Sequence, residues 1–319
     1  MSSDVDLLVR ISTLYYEQGV NQNEIAEICQ IERSRISRLL LQARNQGIVQ
    51  FHVVNPTRNN TDLGERLQKK YGLQEAIVFD TLDIPDHFLK KTIGLVAAKY
   101  ISNILKDGDI LAISWGETIF HTVQGLQSEF PRNVIVVPAL GGSSLLTPAY
   151  QVNEIANKAA EKLGGFSRTL YAPAFVDTRE TRDAMIKSKD IQAITDLWKS
   201  ATVALVGIGR SPFTYRAQAN VDQHFGQFYL YEHEQKELLD HGVMGDINAR
   251  FFGEDGKELN VSIHDRVIGM SFQDLMCIPK VIGVAGGSSK VDAIHSVLSG
   301  RDLSVLITDS LTAQGLALR

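Results

Sequence analysis

Apolar residues recur at helical spacing three times in the first 50 positions. Leu7, Leu8, Ile11, Leu14 and Tyr15 form one such face, and Gly19 is placed to end that helix. Asn21 suits the cap of a second helix over about Gln22 to Cys29, with Ile25, Ala26 and Cys29 facing inward. A third, about Arg33 to Gln46, turns Ile36, Leu39, Leu40 and Ala43 inward and stops at Gly47. The stretch Ile48 to Val54, "IVQFHVV", then alternates apolar and polar residues like a half-buried strand. Residues 56–62 are polar, contain a proline and have no periodic apolar face, so they read as a linker.

From residue 63 the pattern changes. Short apolar runs alternate with helical stretches: "EAIVFD" from Glu75, "DILAIS" from Asp109, "NVIVVPAL" from Asn133, "VALVGIG" from Val203, "KVIGVAGG" from Lys280 and "LSVLIT" from Leu303. Helical spacing covers Leu63–Tyr71, Phe88–Leu105, Ala149–Leu163 and Lys290–Leu298. Continuous apolar strands interleaved with helices imply a mostly parallel sheet covered on both faces. The expected architecture is an all-α helix-turn-helix domain of the winged type over 1–55, joined to a Rossmann-like α/β domain over 63–319.

Charge sharpens the division. The net charge of −5 argues against a protein that coats nucleic acid, yet its distribution is uneven. Residues 1–58 carry six arginines and six acids, and within 33–61 there are five arginines and no acid. A locally basic segment on an acidic body is the pattern of a DNA-binding module attached to something else. Cys29 and Cys277 lie far apart without metal-type spacing, which favours a reducing cytoplasm over a disulfide framework. No apolar run reaches the roughly 18 residues of a membrane span, and the start of the chain carries acids where a secretory signal would be basic.

Two helices joined by a short turn read DNA only if they cross tightly. Counting Gln22 as position one, Ile25, Cys29, Ile31, Ile36 and Leu39 fall on the inward slots and the small Ala26 on the crossing slot. The ninth slot, usually glycine because the turn favours positive φ, is Gln30, which predicts local strain or a different turn. Arg33, Ser34, Arg35, Ser37 and Arg38 occupy the outward face that meets base edges in a major groove, and Gln22 is a further candidate DNA contact. Arginine pairs bidentately with guanine, and serine reaches bases or phosphates. The competing reading is a solvated helix whose arginines pair with Glu27 and Glu32.

The segment "YYEQGVNQNEIAEICQIERSRISRLLLQARNQGIVQFHV" resembles the N-terminal part of the SorC family of bacterial transcriptional regulators. The resemblance runs on through "DGDILAISWGET", "ALGG", "VMGDINARFF", "IHDR" and "VAGGSSKVDAI", and is nearest to members that sense deoxyribose phosphates. It implies a reader of operator DNA, a sugar-binding α/β domain with an isomerase-like fold, and assembly into dimers or tetramers. No cofactor or metal is implied.

Ligands of an open α/β sheet sit at the carboxyl ends of its strands. Three loops fit: Ser114–Thr118 with Gly116, Glu117 and Thr118; Leu140–Ser144 with Gly141, Gly142, Ser143 and Ser144; and Gly286–Lys290. Glycines let backbone amides approach an anion, and Lys290 adds a positive charge suited to phosphate. Each loop is equally readable as a tight strand-to-helix turn. Asp246 could accept from sugar hydroxyls or cap the segment Ile247–Phe251, and Glu117 could bind a hydroxyl or complement a helix N-terminus. The family resemblance raises Asp246 and Lys290 as effector contacts, with Asn153 behind them. Some relatives carry a lysine where this chain has Leu140, which predicts reversible, non-covalent binding here. The alternative, a sugar-phosphate isomerase or deaminase, needs a converging acid and base, and the eight histidines show no paired spacing that supplies them. No catalytic residue is assigned.

Overall fold

The computed structural model describes residues 2–49, 60–81, 86–128, 132–144, 146–210 and 230–319. The chain divides into two compact units, Met1–Val54 and Asn55–Arg319. Most of the expected strand Ile48–Val54 and of the linker 56–62 lies outside the described residues. The last linker positions, Thr61 and Asp62, already belong to a helix.

The first unit holds α1 (Ser2–Ser12), which widens into a π-type turn at Thr13–Glu17, then α2 (Gln22–Cys29) and α3 (Arg33–Asn45). Leu8, Ile11, Ile25, Ile36, Leu40 and Ala43 are buried, and Ala26, Cys29 and Leu39 pack half-buried around them. Each buried Ile or Leu contributes roughly 1.5–3 kcal/mol. The Asn21 side chain caps α2 by accepting from the amides of Asn23 and Glu24 at 3.0 and 3.1 Å. Gln30 ends α2 at φ 54°, ψ 44°, so the turn keeps the left-handed geometry that glycine usually supplies. A side chain there costs about 1–2 kcal/mol, less the chain entropy that glycine would lose. Gln30→Gly is therefore expected to stabilise this unit by about 0.5–1 kcal/mol in urea unfolding. An unchanged or lower midpoint would show that the turn holds no strain.

Among the described residues the second unit is built on a seven-stranded parallel sheet, which runs from edge to edge β1 (Glu75–Phe79), β10 (Val305–Asp309), β9 (Lys280–Val284), β5 (Val203–Gly207), β2 (Ile110–Ile113), β3 (Ile135–Pro138) and β4 (Phe166–Ser167). After α4 (Thr61–Tyr71) come β1 (Glu75–Phe79), α5 (Asp86–Ile104), β2 (Ile110–Ile113), α6 (Glu117–Gly125), β3 (Ile135–Pro138), α7 (Val152–Leu163) and β4 (Phe166–Ser167). The chain returns as β5 (Val203–Gly207), and later adds β9 (Lys280–Val284) and β10 (Val305–Asp309). Successive strand residues serve two different cores. Ala112, Ala204, Val206, Val281 and Leu306 pack on one face, while Leu111, Ile113, Val203, Leu205, Ile282, Val305 and Ile307 pack on the other. Both faces bury apolar groups, which is why these strands read as unbroken apolar runs.

Between β5 and β9 the chain makes a small antiparallel sheet of β6 (Gly209–Arg210), β7 (Gly245–Ile247) and β8 (Arg250–Phe252). Asn248 and Ala249, at φ 53° and 60°, form the two-residue turn between β7 and β8. Asp246 thus lies on a strand, and the capping alternative for Ile247–Phe251 gives way to a hairpin. Among the described residues no helix is long and apolar enough to cross a membrane.

Candidate functional sites

In the first unit, α3 turns Ile36 and Leu40 into the core and leaves Arg33, Ser34, Arg35, Ser37 and Arg38 exposed, while Gln22 is half-buried. The arginine-to-acid pairing that a merely solvated helix would use is not made. Among the described residues Arg33, Arg35 and Arg38 join no ion pair, and Arg38 Nε donates instead to the Ser34 carbonyl at 3.4 Å. Ser34 Oγ donates to Glu32 at 3.4 Å, which holds that hydroxyl at the start of α3.

In the second unit the strand order reverses at β2: β3 lies on one side of it and β5, reached only after β4, on the other. A crevice opens at the carboxyl ends of strands at such a reversal. Gly116, at φ 111°, caps α6 there, and a side-chain carbon placed on it would meet nothing within 4 Å. Gly287, at φ 100°, caps the short 3-10 turn Ser288–Lys290 that leads into the helix Val291–Gly300. Both conformations belong essentially to glycine. Two helix N-termini, each favourable to an anion, therefore start from this end of the sheet.

Side chains tie these loops together. Lys290 Nζ donates to the carbonyl of Ile208, just past β5, at 2.7 Å. Next in the chain, Gly209 lies against the Asp246 carboxylate so closely that any side chain on it would collide. Burial pushes Asp246 up to about 6, with the Lys290 ammonium and the Ala249 amide pulling the other way. On α5, Leu89 reaches Gly287, Ile93 reaches Gly286, and Lys90 donates to Glu117 Oε2 at 2.6 Å. Glu117 also stands 3.9 Å from His121. Burial holds His121 below the ordinary histidine value, against the pull of Glu117. Burial raises Tyr150, and Glu117 adds to that rise. The Gly287 amide donates to Asp309 and Thr312 at 2.9 and 2.7 Å, fixing the loop. Ser288 and Ser289 remain exposed at the start of the helix behind it, with amides that have no acceptor within that helix.

Gly116, Glu117, Thr118, Asp246 and Lys290 thus meet at one end of the sheet, and Lys90, His121 and Tyr150 join them. Those last three carried no legible signal, because nothing in the spacing of Lys90 or Tyr150 predicts which loop their helices will face. The Leu140–Ser144 loop behaves differently. The amides of Gly141, Gly142 and Ser143 donate to Ile268, Ala172 and the Gln151 side chain at 2.9, 2.8 and 3.2 Å, so they are spent inside the protein. Ser143 is buried and only Ser144 is exposed. Leu140 is fully buried against Gly269 and presents nothing to the crevice. Asn153 spends both ends of its amide on Leu170, accepting from its N–H at 3.0 Å and donating to its carbonyl at 3.1 Å. Among the described residues no group of three or more His, Cys, Asp or Glu side chains is placed to hold a metal.

Residues 55–317 match the Sugar-bind family, described as "Putative sugar-binding domain". The chain is 36% identical over 312 residues to the deoxyribonucleoside regulator of Bacillus subtilis, covering 97% of this chain and 96% of that protein. It is 34% identical over 315 residues to the sorbitol operon regulator of Klebsiella pneumoniae, covering 98% of each. The crystal structure of full-length SorC from Klebsiella pneumoniae superposes with a TM-score of 0.76 at 33% identity, covering 98% of this chain and 99% of that one. These relatives are regulators rather than enzymes. A sugar-binding α/β unit of that kind, preceded by a small helical unit with an exposed arginine face, makes this chain a member of the SorC-type family of sugar-binding transcriptional regulators.

Proposed function

We propose that α2 and α3 form a helix-turn-helix that reads an operator, and that a phosphorylated sugar held in the second unit sets how tightly the operator is bound. The carrying observation is that Lys290, held on the Ile208 carbonyl, and Asp246, packed against Gly209, stand at the same loop after β5, beside the turn capped by Gly287. The phosphate takes the amides of Ser288 and Ser289 and the charge of Lys290, while Asp246 and Glu117 accept from hydroxyls. Leu140 supplies no amine, so capture is reversible. Asn153, Gly141, Gly142 and Ser143 shape the wall without touching the ligand. The regulator acts in the cytoplasm as a dimer or tetramer, whose two-fold pairs place recognition helices roughly 34 Å apart, one turn of DNA.

Footprinting on the DNA upstream of the chain's own coding region tests the reader. A partly palindromic protected site is expected, and Arg35→Ala or Arg38→Ala should weaken it by about 1–3 kcal/mol, roughly 5- to 150-fold. Unchanged binding in both variants removes the recognition-helix assignment. A thermal-shift panel of pentose and hexose phosphates tests the pocket. At about 100 times Kd the right sugar adds ~2.7 kcal/mol, some 5–10 °C for a unit of this size. If no phosphorylated sugar stabilises the protein beyond its dephosphorylated form, the phosphate reading fails.

A further inference from the structure

A depression of about 250 Å³ lies in the first unit, between Tyr15, Tyr16 and Gln22 on one side and Ser37, Arg38, Leu41 and Arg44 of α3 on the other. It is smaller than the ~300–1,000 Å³ of small-molecule pockets. Its lining contains two arginines and no acid. Ser37, Leu41 and Arg44 follow one another at helical spacing along α3, so the depression continues the exposed arginine face toward the end of α1.

Its wall is shaped by the change of winding at Thr13–Glu17. There the neighbours Tyr15 and Tyr16 pack edge to face, with centroids 4.8 Å apart, and both line the depression. Such π-type turns are frequent at functional sites. Tyr16 holds Arg44 in two ways: Arg44 Nε donates to Tyr16 Oη at 2.8 Å, and the guanidinium lies 5.5 Å from the ring centroid. The same side chain that stacks on an aromatic face also presents a planar fork matched to phosphate oxygens. Leu41, though 56% exposed, offers an apolar wall of the kind a deoxyribose ring packs on.

We infer that this depression is a docking site for one sugar–phosphate unit of the DNA backbone, with Arg44 as its anchor and Tyr16 as the residue that positions Arg44. The inference rests on the operator-reading proposal above, and adds to it a contact that fixes register without reading bases. Gln22 and Ser37 border the phosphate as hydrogen-bonding groups, and Arg38 stands between this site and the base-reading face.

Its signature is in salt dependence. Each phosphate contact contributes about 0.9 to the slope of log Kobs against log[salt], whatever the sequence. The full-length protein is titrated by fluorescence anisotropy against a random-sequence duplex and against the upstream fragment, over a range of KCl. Arg44→Gln is expected to flatten the slope by about one per bound protomer on both duplexes, with the ratio of specific to non-specific affinity kept. Tyr16→Phe keeps the ring but loses the hydroxyl, and is expected to give a smaller flattening in the same direction at unchanged helix content. Arg35→Ala is expected to lower the specific-to-non-specific ratio instead. If Arg44→Gln and Tyr16→Phe leave both slopes at the wild-type value while Arg35→Ala lowers the ratio, the backbone site is overturned and the reader stands. If wild-type protein shows no preference for the upstream fragment, the operator reading itself fails.

Discussion

Asp246→Asn is expected to raise the melting temperature of the free protein and, in the same variant, to weaken sugar-phosphate binding. Burial holds the Asp246 carboxyl up at about 6, so ionising it at pH 7 costs folding free energy that an amide does not. The full difference from the ordinary value corresponds to ~3 kcal/mol. Partial exposure reduces this to about 1–2 kcal/mol, or some 2–8 °C. Asparagine still accepts the Ala249 amide, so the hairpin keeps its local bond. The sign fixes a pH test. A carboxyl raised in the folded state lowers stability as pH climbs from its unfolded value near 3.8 toward 6, so the advantage of the variant should vanish as pH falls from 7 to 4. A variant that melts lower than wild type at pH 7, or binds the sugar phosphate as well, would place the effector's hydroxyl contacts elsewhere.

Arg266→Ala is expected to destabilise the second unit by about 3–5 kcal/mol, because it leaves a buried carboxylate alone. Arg266 Nε and Nη2 donate to Glu234 at 2.8 and 2.7 Å, and Nη1 donates to the Val176 carbonyl at 2.6 Å. Glu234 is 1% exposed and Arg266 8%. The guanidinium also stacks 4.3 Å from the Tyr231 ring centroid. Arg266→Lys keeps the charge but cannot keep the fork or the stacking, so it should recover little. Removing both partners, as Glu234→Gln with Arg266→Met, should cost clearly less than Arg266→Ala alone, since no unpaired charge remains. Urea unfolding of the three variants checks this order. If the double variant is the least stable, the pair acts through packing and not through charge.

These residues also mark the limit of what the sequence discloses. The strands flanking the crevice are legible because both faces of the sheet are covered and their apolar runs are unbroken. Asn21, Gly19 and Gly47 mark the helix ends, and even Gln30 stands out as a residue in the wrong slot. The β6–β8 sheet is hidden, since Gly245–Ile247 is short and charged and its turn is Asn-Ala where Asn-Gly would announce a hairpin. "VMGDINARFF" and "IHDR" read as shared patterns, and only Asp246 as a contact. The fold shows that Arg250 and Arg266 serve the frame, with Arg250 donating to the carbonyls of His264, Val267 and Gly269. His264 Nε2 accepts the Phe251 amide at 2.7 Å, and burial with Arg250 nearby holds its value down at about 3. The glycine loop at Leu140–Ser144 misleads for a related reason. Whether an amide is free for a ligand depends on tertiary neighbours such as Ile268 and Ala172, which lie far away in sequence.

We propose that a sugar phosphate held by Lys290 alters the grip of the first unit on its operator. It is tested most directly by operator binding, followed by anisotropy, with and without the stabilising sugar phosphate, in wild type and in Lys290→Ala. The sugar can shift operator affinity only through its different affinity for the two states, typically 5- to 150-fold. Wild type is predicted to shift within that range, and Lys290→Ala to bind operator as tightly as unliganded wild type with no shift at the same sugar concentration. An equal shift in Lys290→Ala would show that the effector does not act through Lys290, and none in wild type that the sugar phosphate does not control operator binding.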